Sequence, residues 1–283
     1  MTHRQVYESL VEDGLHRVES ASEAAYRDAW TEHALPREPD LLAMAISGGI
    51  IADRMAWVFA AGYQAACRHV FPSAALRSWV AYAATEDREG DPPLPGVRLT
   101  GTPSAGTLSG NKAWIAAARS VAQLVVRVGT GPEATYFLVD RERHGVTIDP
   151  KPQDFLADLS QGRARFEETP VTSADVVDGD GIGLLGFVEP LYVYAAFCSF
   201  VLGGTTEPDI VSRCHDCLDA VDAALASLRV GDVDEVNQAN ADALAQDLLA
   251  RLAGNRAGAA GDWETDQKIV AMYSSDIDVD IPH

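Results

Sequence analysis

Leu108-Ser109-Gly110-Asn111-Lys112-Ala113-Trp114-Ile115 opens the stretch that decides the fold, and that stretch runs on to Val171. Gly110-Asn111 reads as a turn, and short alternating apolar segments follow it: Leu124, Val126 and Val128; Tyr136 and Leu138; Val146 and Ile148; Ala164 and Phe166. Apolar residues at every second position describe strands, because successive side chains leave a strand on opposite faces. Gly129-Thr130-Gly131-Pro132 separates two of these runs, and Arg143-His144-Gly145 falls between the next two, as hairpin connections would. In the last run Arg163, Arg165 and Glu167 alternate with Ala164 and Phe166, which predicts one wet face and one packed face. The pattern predicts a small antiparallel β-barrel or sandwich set between helical segments.

On the N-terminal side, Arg4 to about Glu32 reads as one helix carrying Val6, Leu10, Val11 and Leu15, ended by Pro36-Arg37-Glu38-Pro39. Asp40 is placed to cap a second helix through Leu41, Leu42, Met44 and Ala45, and a third runs from Ala52 to Val70. On the C-terminal side, Phe187 to Leu202 is apolar all round, which describes a buried helix, shorter than a bilayer span. Thr206-Glu207-Pro208-Asp209 starts another helix with Ile210, Cys214, Cys217, Val221, Ala224 and Leu228 on one stripe. Asp232-Val233-Asp234-Glu235 opens one through Leu252 that Gly254 closes, and Trp263 to Met272 forms a last short helix. The order is helices, sheet, helices, with expected boundaries at 1–76, 77–174 and 175–283.

The 283 residues suffice for a substantial core, and 47% apolar residues exclude disorder as the default. A formal charge of −20, from 22 basic against 42 acidic side chains, repels phosphate backbones and anionic membranes, so nucleic-acid binding is not expected. The polar N-terminus shows no signal peptide and the chain no membrane-spanning run, so a reduced, cytoplasmic protein without membrane insertion is expected. Cys214-His215-Asp216-Cys217 is a single CxxC whose sulfurs fall on an apolar stripe, so core packing explains them better than a metal. No ligand spacing among the seven histidines and no GxSxG, Walker or GxGxxG pattern is found.

Four segments, in order, resemble the acyl-CoA dehydrogenase family: Ala81-Tyr82-Ala83-Ala84-Thr85-Glu86, Gly110-Asn111-Lys112-Ala113-Trp114-Ile115, Phe137-Leu138-Val139-Asp140 and Phe166-Glu167-Glu168-Thr169-Pro170-Val171. The resemblance spans about half of the chain. It implies an α+β architecture with an N-terminal helical domain, a central antiparallel β domain and a C-terminal helical bundle, both helical parts abbreviated. It also implies FAD as cofactor, with Tyr82, Ala84 and Thr85 on the first flavin-contacting strand and Trp114 covering the isoalloxazine. At the position two residues beyond that tryptophan the family carries a hydroxyl; this chain carries Ala116. Asp91 stands where the family has a serine near the flavin phosphates, and the C-terminal Arg and Gln segments that hold the adenine half have no counterpart.

The family's chemistry is α,β-desaturation of an acyl thioester, in which a carboxylate takes the α-proton while hydride leaves the β-carbon. Glu189 is the only acid between Ile182 and Val201, where desolvation raises a carboxylate toward the range of a general base. The competing explanation is electrostatic: Glu189 would favour the positive end of a helix whose first turn contains Pro190. Taken singly, Trp114 also reads as a core aromatic and Thr85 as an ordinary strand residue. The resemblance further implies an acyl thioester on CoA or a carrier protein, an electron-transfer flavoprotein as acceptor, and a homo- or hetero-oligomer. The other functional reading is a non-catalytic or thioester-binding family member acting as partner subunit, favoured by Ala116 and the short C-terminal bundle.

Overall fold

The computed structural model describes residues 3–87, 91–229, 235–252 and 257–274. Its helices are α1 (His3–Glu12), α2 (Glu23–His33), α3 (Leu41–Ile51), α4 (Met55–Val70), α5 (Leu185–Leu202), α6 (Pro208–Arg229), α7 (Glu235–Arg251), α8 (Trp263–Asp266) and α9 (Lys268–Ala271). Its strands are β1 (Val80–Ala83), β2 (Arg98–Thr102), β3 (Ala105–Ala116), β4 (Gln123–Val128), β5 (Thr135–Asp140), β6 (Val146–Lys151), β7 (Gln161–Thr172) and β8 (Val176–Val177). Two compact units result: a helical unit of residues 1–69, 154–158 and 184–283, and a β unit of residues 70–153 and 159–183.

The β unit holds two four-stranded sheets, β1-β4-β5-β8 and β2-β3-β7-β6. Among the described residues every strand–strand pairing is antiparallel except β1 with β4, where Val80 to Ala83 run alongside Gln123 to Val126 in the same direction. The alternation read in the sequence is the burial seen: Ala164 and Phe166 are buried while Arg165 and Glu167 face solvent. Gly110-Asn111 is not a turn. It lies inside β3, where a bulge shifts the register between Leu108 and Gly110. Gly110 takes φ +129°, and a side chain there would run into the Gly96 carbonyl, so only glycine fits. Phe71, Tyr82 and Tyr136 stack obliquely, with ring centroids 5.5, 6.0 and 6.4 Å apart.

In the helical unit the expected first helix is two. α1 ends at Glu12 and Gly14 takes φ +89°, a left-handed residue that stops the helix, and Ser22 then caps α2 by accepting from Ala25 N–H. Asp40 caps α3 as expected, its Oδ1 accepting from Ala43 N–H at 3.0 Å. α5 is buried along Val188 and Pro190 to Leu202 and lies against α3, α6 and α7. Close approach is possible because the facing residues lack side chains: a Cβ on Gly49 of α3 would overlap the backbone of Ala196, and one on Gly62 of α4 that of Val193. With the turn preceding it, Asp180–Leu202 is long and apolar enough to cross a membrane by length and composition alone, but 72% of that window is buried inside the protein. Residues 230–234 and Gly254, where a cap and a stop were expected, lie outside the described residues. The expected last helix is instead two short ones, α8 and α9.

Segment 154–158 belongs to the helical unit. Leu156 N–H donates to Asp266 Oδ1 at 2.7 Å and Arg54 reaches Asp158 at 2.9 Å. Burial, opposed by the Leu156 hydrogen bond, pushes the Asp266 carboxyl up to about 6. Cys198 of α5 meets Cys214 and Cys217 of α6, and all three sulfurs are buried, as is Cys67.

Candidate functional site

The flavin-facing residues expected from the sequence fall in the β unit. Two of the segments named there meet: Ala113 N–H donates to the Thr85 carbonyl at 2.8 Å. Lys112, only 1% exposed, extends Nζ to the Ala84 carbonyl at 3.2 Å and to Glu86 Oε1 at 3.1 Å. Burial holds this ammonium below the ordinary lysine range, opposed by Glu86. Thr85 is exposed beside a hollow of about 370 Å³ that it shares with Ala84, Glu86, Arg127 and Thr130. Tyr82 turns into the aromatic cluster with Phe71 and Tyr136, and burial pushes its phenol up to about 12.

Trp114 is half-buried on the wet face of β3. Its position follows from a second bulge: Lys112 faces Ala164 and Ile115 faces Gly162, so Ala113 and Trp114 together stand opposite the single residue Arg163. The indole Nε1 donates to Gln161 Oε1 at 2.9 Å, which fixes the ring. A cavity of about 390 Å³ opens there, lined by Trp114, Gln161, Lys151, Gln153 and Arg163 among others. Ala116 pairs with Gln161 across the strands, but it is 2% exposed and carries no polar side-chain atom, so it offers that cavity no hydrogen bond. Asp91 is exposed. Lys151, Gln161 and Arg163 escape sequence reading because only the bulge brings Trp114 onto their face; the wet stripe of β7 was the available signal.

Glu189 lies in the helical unit, fifth in α5. The helix begins at Leu185, so Pro190 stands inside it and not in the first turn. A helix-end charge effect fades within one turn, so the electrostatic explanation of Glu189 loses its premise. Pro190 has no N–H, which leaves the Gly186 carbonyl without its intrahelical donor. Glu189 Oε1 accepts a 2.6 Å hydrogen bond from the Tyr273 hydroxyl, a partner 84 residues away. Burial raises the Glu189 carboxyl above its ordinary range, partly offset by that bond, and raises the Tyr273 phenol as well. Pro190 and Tyr273 also line a cavity of about 420 Å³ beside Asp242. The Asp242 carboxylate there accepts from Tyr194 at 2.7 Å, Ser274 at 2.8 Å and Gln246 at 3.0 Å.

No family model matches the chain and no curated protein is similar to it in sequence. Solved structures are similar in fold. PigA with FAD and proline superposes with a TM-score of 0.62 at 14% identity, over 95% of this chain and 90% of that one. Butyryl-CoA dehydrogenase from Megasphaera elsdenii gives 0.62 at 11% identity, over 95% and 91%. The fold is acyl-CoA dehydrogenase-like. The prolyl acyl carrier protein oxidase AnaB is similar too, at 0.58 and 13% identity, over 87% of this chain and 85% of that one. An acyl-CoA dehydrogenase-like fold with helices before and after its β strands accounts for the α+β order read in the sequence.

Proposed function

We propose that this chain is a flavoprotein of acyl-CoA dehydrogenase type that takes the α-proton of an acyl thioester, with Glu189 as base and Trp114 against the flavin. The observation that carries the reading is Glu189 itself, an acid desolvated in an otherwise apolar helix and held by the Tyr273 hydroxyl. A carboxylate raised in this way accepts a proton more readily than a surface glutamate. Oε1 accepts from the Tyr273 hydroxyl, and the carboxylate keeps further lone pairs that would take the proton.

The β unit supports FAD in its chemistry: a fixed indole borders a cavity that carries two cations and no acid. Thr85 and the backbone of β3 would line the flavin, while Ala116 supplies no hydroxyl. When bound, FAD would supply the two-electron acceptor that desaturation needs. CoA and carrier-protein thioesters are the substrate class, as in the names of butyryl-CoA dehydrogenase and the prolyl acyl carrier protein oxidase. An electron-transfer flavoprotein as acceptor and an oligomeric assembly belong to the same reading.

Purified protein should show flavin absorption, alone or after FAD is added. Glu189→Gln keeps shape and removes the proton acceptor, so it should retain fold and flavin but slow flavin reduction by acyl thioesters about 10²–10⁴-fold. Reduction at the wild-type rate would remove Glu189 from the chemistry. A protein that takes up no FAD at all would instead point to the non-catalytic, thioester-binding subunit.

A further inference from the structure

The cavity beside Trp114 carries a charge pattern that the desaturation chemistry does not use. Lys151 and Arg163 both line it, and no acidic residue does. Neither cation forms an ion pair among the described residues, although Asp149 is the direct cross-strand partner of Arg163. In a chain of net charge −20 with three lysines, two cations line one cavity whose lining holds no acid, with Asp149 opposite Arg163 on the neighbouring strand but not paired with it.

The sheet explains why they converge. Lys151 faces Gln161 across the β6–β7 pair, and Gln161 and Arg163 are two residues apart on β7, so all three share one face. The bulge in β3 delivers Trp114 to that same face opposite Arg163. The indole N–H is already spent on Gln161 Oε1, so it is not the group that would bind a phosphate. A planar ring beside a guanidinium and an ammonium, in about 390 Å³, is complementary to a phosphate ester joined to an aromatic group.

We propose that Lys151 and Arg163 form a pyrophosphate-binding subsite next to Trp114, serving a nucleotide-linked ligand. Arg163 offers the planar fork that matches two phosphate oxygens, and Lys151 the mobile point charge. FAD and CoA both carry a pyrophosphate, and the assignment to FAD rests on the flavoprotein reading above; the phosphate chemistry does not.

The test compares the full-length wild type with the Lys151→Gln/Arg163→Gln double variant, titrating sodium pyrophosphate, FAD, riboflavin and CoA by calorimetry and tryptophan fluorescence. The proposal expects pyrophosphate and FAD to bind the double variant roughly tenfold or more weakly, with riboflavin unchanged because it has no phosphate. A charge-keeping Lys151→Arg/Arg163→Lys variant should retain most of the pyrophosphate affinity and shows that loss is not misfolding. Weakening of CoA but not FAD assigns the same subsite to the thioester. Pyrophosphate lost in the variant, with no flavin bound by either protein, upholds the subsite and defeats the flavoprotein reading. Equal pyrophosphate affinity in wild type and double variant, or no affinity in either, overturns the proposal.

Discussion

Asp266 shows how a single buried acid sets a pH response. Its folded value of about 6 exceeds the ordinary 3.8, so the folded state binds this proton more tightly than the unfolded chain. The sign follows: its stabilising contribution is complete below about pH 3.8 and is lost as pH rises through about 6. After discounting for solvent screening, the loss is about 1–2 kcal/mol. Asp266→Asn should flatten that segment of the stability curve, measured by urea denaturation at pH 4 and pH 7; an unchanged slope would remove Asp266 as the cause. Nothing local in the sequence marks this residue, since its donor is Leu156, 110 positions away. The desolvated setting of Glu189 was legible by contrast, because its apolar neighbours are contiguous. Its hydroxyl partner Tyr273 was not, for the same reason of distance.

At the scale of elements, local patterns carried where contacts are local. The Asp40 cap, the wet and dry faces of β7 and the helical stripe of Cys214 and Cys217 were all readable from neighbouring residues. The bulges of β3 were not, because a register shift is a property of two strands. The second bulge is why Trp114 shares a cavity with Lys151 and Arg163, a grouping the sequence did not display. Helix α5 makes two predictions. Its seating on Gly49 and Gly62 is at backbone distance, so Gly49→Ala must push α3 from α5; a cost of about 1–3 kcal/mol is expected. Calorimetry should show a lower melting temperature, whereas unaltered melting would mean the helices part freely. The thiol cluster between α5 and α6 has no solvent exposure, so all four cysteines should resist an aromatic disulfide reagent until denaturant is added. Reaction of any of them in native protein contradicts that arrangement.

On the scale of the whole molecule, the order of helices and strands was legible because hydrophobic period changes along the chain. The partition into units was not read that way: the helical unit draws on residues before, between and after the β strands. This has a consequence for biosynthesis. As the chain leaves the ribosome, α3 and α4 emerge with Gly49 and Gly62 bare, and their covering helix α5 is encoded more than 110 residues after α4 ends. Every strand of the β unit is made in that interval, so its sheets can close while the first helices still expose an apolar surface. The nascent polypeptide is therefore most vulnerable to association between about residue 70 and the emergence of residue 202, and slow translation over that window prolongs the exposure.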